Sequence, residues 1–384
     1  MTVLAKAMSG SRAYRWWMAA LAAAIVAGVL LWLRQWNRGL VLTGMSRDVA
    51  WGLYVGQFTF FVGVAASAVT VVLPYYLHAW KAFGRVVILG ELLAIASIVV
   101  SLLFIVVDMG RPDRLLNVLL YPSPSSLMFW DMLALMGYLA LNGIVARAVL
   151  AAEIDGAPPA TWTRAIMLIS IPWAVSIHTL TAFLYAGLAG RPFWLTAAMA
   201  PRFLASAFAA GPALLILLCR AFRYDAGEEA LRKLSLVMTY AMTANVFLAL
   251  MEVFTAFYSG IPEHAAHYSP WTWLSGGFAL AALAMALGRS RYAPAAVFAS
   301  LAIDKGVVLI PAGFIPSPAG AVTPYLPTAV ELGIVLAIWS VGALLVTVLF
   351  RIAIAARAAE SSLTGFDGPS TLHSTPRAVA EREM

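Results

Sequence analysis

The chain has 384 residues, of which 62% are hydrophobic and only 11% are charged, and its formal net charge is +7. Soluble domains average roughly 45–50% apolar and about 25% charged residues, so this composition excludes a water-soluble globular protein. The single cysteine, Cys219, excludes an internal disulfide, a C-x-x-C-H haem site and a cysteine-ligated iron–sulfur cluster.

Ten apolar runs are long enough to form transmembrane helices, each of which needs about 20 mainly apolar residues. They predict an all-α polytopic membrane protein, a bundle of about ten transmembrane helices. The alternating segments of about ten residues that are typical of membrane β-barrels are absent. The first run has no A-x-A-like site after it, and we interpret it as a retained signal-anchor helix. The predicted spans are 16–33, 51–77, 84–107, 126–150, 163–189, 201–222, 234–258, 269–287, 294–315 and 328–350.

Basic residues in the connections set the expected orientation. With the N-terminus inside, 17 of the 25 Lys and Arg residues lie on the inner side, seven on the outer side, and Lys305 within a span. Lysine and arginine concentrate in cytoplasmic loops, so we predict an N-in, C-in protein and no nucleic-acid partner. We expect the protein in the bacterial inner membrane. The expected organisation is a cytoplasmic N-terminus (1–15), a transmembrane domain (16–357) and a polar, disordered cytoplasmic tail (358–384).

Ionisable side chains within the predicted spans are candidates for function, because each costs at least ~2.5 kcal/mol to insert. Most lie from the membrane centre outward, with Glu91 on the inner half. The alternative is that each one only pairs with a neighbouring helix and stabilises the bundle. For Asp304 and Lys305, the alternative to a functional role is that they neutralise each other. For Asp131, the alternative is a role as a helix N-cap. The set is Glu91, Asp108, Arg111, Asp131, His178, Glu252, Asp304, Lys305 and Glu331.

Helical spacing groups some of these residues. Two spans carry polar side chains on one face each, and the two faces would line one cavity. They are His178, Thr181 and Tyr185 on the fifth span, and Asn245, Glu252 and Thr255 on the seventh.

The histidines argue against a haem in the bundle core, which usually has a histidine on each side of the iron. Of five histidines, only His178 lies deep in a predicted span. His264 and His267 lie in an outer loop, where we expect them to be solvated rather than to bind a metal. We therefore expect no metal site and no haem b.

One connection carries the most specific pattern, VVDMGRPDRLLNVLLYPSPSSLMFWD (106–131). A span ends in an acidic residue and a Gly-Arg-Pro turn, and the next begins with Ser-x-x-x-Trp-Asp. This arrangement resembles the hallmark region of the NrfD/polysulfide reductase membrane-subunit family. Segments 46–68, 172–194 and 304–320 extend the resemblance, which is nearest to the ten-helix branch typified by DsrP and HmcC. The chain before Met45 and after Arg357 lies outside it.

The resemblance implies a subunit that exchanges electrons between membrane quinone, either menaquinone or ubiquinone, and an iron–sulfur partner on the outer face. It implies no metal centre within the subunit itself. The implied partners are a periplasmic ferredoxin-like iron–sulfur subunit, a multihaem cytochrome c, a second membrane subunit with haem b, and a cytoplasmic iron–sulfur subunit. The implied pathway is dissimilatory sulfur metabolism.

A quinone site needs hydrogen-bonding and titratable groups near the two carbonyl oxygens. We predict that Arg111 pairs with Asp108 and keeps it ionised, while Asp113 and Arg114 are solvated and contact the outer partner. The quinone-site candidates are His178, Asp108, Arg111, Asp131, Glu252 and Tyr185. The proton-path candidates are Glu91, Asp304, Lys305 and Glu331.

Two other functions remain open. A proton-coupled secondary transporter would have repeats and interrupted helices; no persuasive repeat is present, although prolines fall within four spans (Pro74, Pro172, Pro212 and Pro311). A haem b cytochrome subunit would show a stoichiometric haem band in the purified chain.

Overall fold

The structure, a computed structural model, describes residues 9–78, 80–155 and 160–364. Within these ranges there are helices and connections but no strands, and ten helices are long and apolar enough to cross a membrane. The predicted all-α class and the number of spans are confirmed. In chain order the helices are α1 (Arg12–Arg38), α2 (Leu53–Ala66), α3 (Val69–Leu77), α4 (Val87–Asp108), α5 (Asn117–Leu120), α6 (Leu127–Asp155), α7 (Thr161–Ala186), α8 (Met199–Ala221), α9 (Glu228–Tyr258), α10 (Pro262–Ala266), α11 (Pro270–Leu287), α12 (Ala293–Ile303), α13 (Leu309–Phe314) and α14 (Ala329–Thr364).

Helix α1 is longer than predicted because its ends carry capping residues. The Ser11 hydroxyl accepts a hydrogen bond from Tyr14 N (3.3 Å), which satisfies one of the free N–H groups at a helix start. At the other end Gly39 has φ 82°, a backbone conformation that glycine adopts without steric cost. Helix α14 continues to Thr364, into the predicted tail. Residues 1–8 and 365–384 lie outside the described residues.

Helix α2 forms the centre of the bundle. All fourteen of its residues are buried, and it packs against α4, α7, α8 and the middle of the ninth span. A helix that is apolar on every side is suited to such a position. By contrast, α1 lies at the periphery and packs mainly on α14, with only 11% of its most apolar window buried.

The ninth span is interrupted in its middle. A π-helical turn at Asp304–Val308 separates α12 from α13, and such turns are frequent at functional sites. Helix α2 approaches this turn closely at Gly56, where a Cβ would lie 2.5 Å from Gly306 O. Gln57 Nε2 donates to Gly306 O (3.0 Å), and Trp339 Nε1 donates to Gln57 Oε1 (2.8 Å).

Prolines do not set the helix breaks. Pro74, Pro172 and Pro212 all lie inside continuous helices. The second span breaks between Ala66 and Val69 instead, so the proline that falls within this predicted span does not mark the break.

Candidate functional site

The C-terminal half of α7, which the predicted orientation places on the outer side, carries three buried polar side chains on one face. His178, Thr181 and Tyr185 are at most 2% exposed. Thr181 Oγ1 donates to Asp131 Oδ1 on α6 (2.8 Å), and the Tyr185 hydroxyl makes a short hydrogen bond with the Thr59 hydroxyl on α2. The predicted shared face is therefore confirmed, and it contacts two neighbouring helices.

Asp131 is a core residue rather than a helix cap. It is the fifth residue of α6 and is only 4% exposed, so the alternative N-cap role is wrong. Trp130, one position earlier, donates its indole N–H to Pro124 O (2.8 Å) in the preceding loop. The adjacent Trp and Asp of the Trp-Asp pair thus point in different directions, since successive helical positions face different sides.

Phe203 links this face to a buried lysine. The His178 ring lies 5.0 Å from the Phe203 ring, centroid to centroid, and Lys305 Nζ lies 4.2 Å from the Phe203 centroid. Tyr185 also contacts Phe203, at 5.8 Å. The buried His178 Nδ1 has no hydrogen-bond partner among the described residues. An unsatisfied buried polar atom is costly, so this nitrogen is suited to a ligand or a water.

Four aromatic rings, one of them that of Tyr185, form a cluster at the C-terminal end of the α7 face. Trp51, Tyr185, Trp194 and Phe314 have neighbouring ring centroids 5.1–6.1 Å apart. Most pairs are edge-to-face, a favourable arrangement of aromatic quadrupoles. Trp194 fits against α13 because Gly313 has no side chain, and a Cβ there would lie 1.9 Å from the indole. We call these four residues the outer aromatic cluster.

A charged network crosses the bundle beside the α7 face. The guanidinium of Arg202, which is 8% exposed, donates to Glu252 on α9 through a short hydrogen bond. It also donates to both carboxylate oxygens of Asp304 (3.2 and 3.3 Å). Lys305 Nζ is 3.9 Å from Asp304 Oδ2. Two cations and two anions balance, as buried charges generally require.

Arg202 was not among the predicted site residues. Its position at the start of an apolar run groups it, in the sequence, with the outer basic residues. The structure places it in the first turn of α8, inside the bundle. The signal that was missed is a charge imbalance, since Glu252, Asp304 and Lys305 together leave one acid without a cation. Mutual neutralisation of Asp304 and Lys305 is thus only part of the arrangement.

Glu331 lies at the start of α14 and acts as a capping residue. Its carboxylate accepts hydrogen bonds from Thr328 N (2.8 Å), Gly44 N (2.7 Å) and the Tyr325 hydroxyl (2.8 Å). Thr328 Oγ1 in turn accepts from Glu331 N (3.3 Å), which completes a capping box. The geometry favours a structural role over the predicted place in a proton path.

We expect Glu331→Ala to lower the free energy of unfolding by at least about 2 kcal/mol, because hydrogen bonds to charged groups are each worth roughly 1.5–3 kcal/mol. Thermal unfolding of the purified protein measures this loss. Glu263→Ala, at an exposed position of α10, is the control and should change little. An equally small shift for Glu331→Ala would contradict the capping role.

The predicted pairing of Arg111 with Asp108 is wrong. The Arg111 guanidinium donates to both carboxylate oxygens of Asp113 (3.0 Å each) and is exposed. These hydrogen bonds lower the pKa of Asp113. Asp108, the last residue of α4, keeps a buried Oδ1 with no hydrogen-bond partner among the described residues. Arg111 therefore belongs to the outer loop, while Asp108 faces the bundle.

Two further expectations fail on burial. Thr255 is exposed and donates to Met251 O (2.9 Å), so it does not share an inward face with Asn245 and Glu252. His267, expected to be solvated, is 3% exposed, and its Nδ1 hydrogen-bonds to Ala312 O (2.7 Å). Burial lowers the pKa of His267, because the charged imidazolium loses its hydration.

Glu91 is separate from all of these groups. It is the fifth residue of α4, 3% exposed, and lies toward the opposite membrane face from Asp108 at the other end of the same helix. A cavity of about 790 Å³ occupies that half of the bundle, and none of the predicted site residues lines it. The predicted ionisable residues thus fall into an α7 face, a charged network and further positions elsewhere in the bundle.

Across the described ranges, no group of three or more His, Cys, Asp and Glu side chains is placed to hold a metal ion. Arg202, Glu252, Asp304 and Lys305 pair with one another, whereas Asp131, Glu331 and His267 hydrogen-bond to hydroxyl or backbone groups. What the outer half of the bundle offers is an imidazole, carboxylates and hydroxyls beside aromatic rings, which is a setting for proton exchange.

Comparison with known proteins gives three relatives. A putative membrane subunit of dimethyl sulfoxide reductase from Halobacterium salinarum is 28% identical over 92% of this chain and 94% of its own length. A selenate reductase subunit of Mesobacillus selenatarsenatis is 24% identical (62% of this chain, 64% of its own length). An Hdr-like menaquinol oxidoreductase integral membrane subunit of Archaeoglobus fulgidus is 26% identical (60% and 58%).

The family model described as polysulphide reductase, NrfD, matches residues 41–315. That range runs from the loop after α1 to the end of α13, and it includes the α7 face, the charged network and the segment from Asp108 to Asp131. This multi-pass membrane protein belongs to the NrfD polysulphide reductase family.

Proposed function

We propose that this chain is the integral membrane subunit through which a respiratory oxidoreductase complex exchanges electrons with membrane quinone. The observation that carries the proposal is the α7 face. There His178 presents a buried nitrogen that has no hydrogen-bond partner within the described part of the chain, one turn from the Asp131–Thr181 hydrogen bond. Two relatives point the same way, since one is a reductase membrane subunit and another a menaquinol oxidoreductase subunit.

The residues of the α7 face fit a quinone head group. His178 can donate or accept a hydrogen bond through Nδ1, because neutral imidazole does both. Asp131, positioned by the hydrogen bond from the Thr181 hydroxyl, can hold a proton beside the head group. When bound, the quinone supplies two-electron chemistry that is coupled to two protons. The outer aromatic cluster adds flat apolar rings beside this face, as expected for a site that is mainly apolar with a few placed polar groups.

The charged network would hold the proton-exchanging groups in fixed positions. Lys305 lies over the Phe203 ring and is within ion-pair distance of Asp304. Arg202 donates hydrogen bonds to both Asp304 and Glu252. Protonation of one carboxylate would therefore change the charge that the other groups of the network experience. We propose that Asp304 and Lys305 connect the α7 face to the membrane centre.

Glu91 is the candidate for an inward proton path. It is buried in the inner half of α4, away from the α7 face. We expect Glu91→Gln to leave quinol oxidation unchanged and to abolish any proton translocation, because glutamine cannot take up a proton. Proton uptake by vesicles that contain the complex is the measurement. Translocation that persists in Glu91→Gln at the wild-type ratio would remove Glu91 from the path.

His178→Ala tests the site itself. We expect binding of a quinone analogue to weaken about tenfold or more, since the loss of one good hydrogen bond in a dry site is worth about 1.4 kcal/mol. Titration of the purified complex with the analogue, followed by fluorescence quenching, measures the affinity. His264→Ala, in the short outer helix α10, is the matched histidine control. Equal affinity in the His178 variant and the wild type would contradict the assignment.

The complex and its pathway are the finer part of the proposal. We propose the bacterial inner membrane, a periplasmic ferredoxin-like iron–sulfur partner, a multihaem cytochrome c, a second membrane subunit with haem b and a cytoplasmic iron–sulfur subunit, in sulfur metabolism of the DsrP type. The relatives widen the choice, since they serve dimethyl sulfoxide and selenate reductases. Gentle purification from native membranes, with identification of the co-eluting subunits, distinguishes these complexes; an isolated chain would contradict all of them.

A further inference from the structure

The inner half of the bundle contains a large apolar cavity that the proposed function does not use. Its volume is about 790 Å³, within the range of about 300–1,000 Å³ that is typical of ligand sites. It lies between the inner ends of α1, α4, α8 and α14. The side chains at its deep end are Phe61, Phe298 and Trp339, and those at its inner end are Tyr14, Trp17 and Arg351.

The deep part of the cavity suits an alkyl chain better than a polar head group. Trp339 Nε1 already donates to Gln57 Oε1 (2.8 Å), and Thr347 Oγ1 donates to Ala343 O (2.6 Å) and accepts from Trp17 Nε1 (3.3 Å). Apart from Ser97, the other residues along this part of the cavity, such as Leu93, Val100 and Leu214, have apolar side chains. Burying a carbonyl oxygen without a hydrogen bond is unfavourable. The deep part of the cavity therefore favours an alkyl chain over a polar head group.

The inner end of the cavity carries a positive charge with neutral partners. Arg351 donates to Ser9 O (2.5 Å) and lies over the Tyr14 ring, with its guanidinium carbon 4.0 Å from the centroid. Among the described residues it forms no ion pair with a carboxylate. A guanidinium has five N–H donors in a planar arrangement that matches phosphate, so Arg351 has donors left for an anion.

The cavity is also reached from the lipid. Helix α1 lies at the edge of the bundle, and Trp17, which lines the inner end, is 47% exposed. Indole rings prefer the membrane interface, which places this end of the cavity at the level of the lipid phosphates. Basic pockets between helices on the cytoplasmic side are known to hold phospholipid head groups.

We propose that this cavity is a binding site for one phospholipid of the inner leaflet, with an alkyl chain against Phe61, Phe298 and Trp339 and the phosphate on Arg351. The far end of the chain would touch Trp339, which is joined through Gln57 to Gly306 in the π-helical turn. The site is independent of the quinone proposal, since none of its lining residues belongs to the α7 face or the charged network.

The test is native mass spectrometry of the purified complex, reconstituted in nanodiscs of phosphatidylcholine with or without phosphatidylglycerol. We expect one phospholipid to remain bound per chain, and Arg351→Gln to reduce its affinity roughly tenfold. Ala343→Phe, which fills the cavity, should abolish retention. The matched controls are Arg220→Gln, since Arg220 also donates to a backbone carbonyl (Arg291 O, 2.6 Å), and Leu336→Phe on the exposed side of α14.

Three results would overturn the proposal. They are retention that is equal in the wild type and both cavity variants, recovery of a quinone instead of a phospholipid, and stabilisation by inorganic phosphate alone that equals the effect of the lipid. If a variant fails to assemble, the wild-type complex still decides. Its thermal unfolding temperature should rise with phosphatidylglycerol over phosphatidylcholine alone, and no rise would count against an anionic head group at Arg351.

Discussion

Replacement of Arg202 with Leu is expected to destabilise the bundle by about 3–5 kcal/mol, the usual result when one partner of a buried ion pair is removed. The guanidinium donates to Glu252 and Asp304 from a position that is only 8% exposed. Without it, two carboxylates share the single charge of Lys305. Thermal unfolding of the purified complex measures the effect, and Arg232→Leu at an exposed position of α9 is the control.

Two further variants test whether the effect of Arg202→Leu comes from the loss of charge. Arg202→Lys restores the cation but not the fork of donors that reaches two carboxylates at once, so its stability should be intermediate. The double variant Arg202→Leu with Glu252→Leu leaves Asp304 beside Lys305, 3.9 Å away, and should recover part of the loss. If the double variant is no more stable than Arg202→Leu, loss of packing rather than of charge balance explains the effect.

Asp131→Asn is expected to slow quinol oxidation by about 10²-fold or more, the lower end of what general acid–base groups contribute. Asparagine keeps the size of the side chain and can still accept from Thr181, but it cannot hold a proton. Steady-state turnover with a soluble quinol measures the rate, and the thermal unfolding temperature of the same sample reports whether the fold is intact.

Thr181→Val distinguishes proton transfer from positioning. It removes the 2.8 Å hydrogen bond to Asp131 but leaves the carboxyl group, so we expect a much smaller loss of turnover than for Asp131→Asn. Glu229→Gln, an exposed glutamate paired with Lys233 on the inner side (2.8 Å), should retain the wild-type rate. Asp131→Asn with normal turnover would mean that Asp131 is only a structural partner of Thr181.

The π-helical turn connects the charged network to the deep end of the inner cavity. Its residues Asp304 and Lys305 join the charged network, while Gly306 accepts from Gln57. Gln57 in turn accepts from Trp339, at the deep end of the inner cavity. A change in cavity occupancy would therefore reach the charged network through the side chains of Trp339 and Gln57 and the backbone carbonyl of Gly306. This path gives a physical reason to measure quinol turnover in the Ala343→Phe variant as well.

The sequence by itself determined the fold class and the ten spans, because a run of about 20 apolar residues is suited to a transmembrane helix. It also determined the family pattern. It also determined that His178, Thr181 and Tyr185 share one face, since a face depends only on the local helical period. The loop of residues 106–131 was informative for a similar reason, since charged residues are unusual so close to two apolar spans.

Only the tertiary structure decided which side chains meet. Arg202 contacts partners 50 and 102 positions away in the sequence, and Glu331 accepts from Gly44, 287 positions away. Two acids, Asp108 and Asp113, lie near Arg111 in the sequence. The turn at Pro112 directs the Arg111 side chain to Asp113 rather than to Asp108. His267 became buried because its loop folds back onto α13. Helical periodicity reports the direction of a side chain on its own helix, whereas the partner it finds there depends on how separate helices pack.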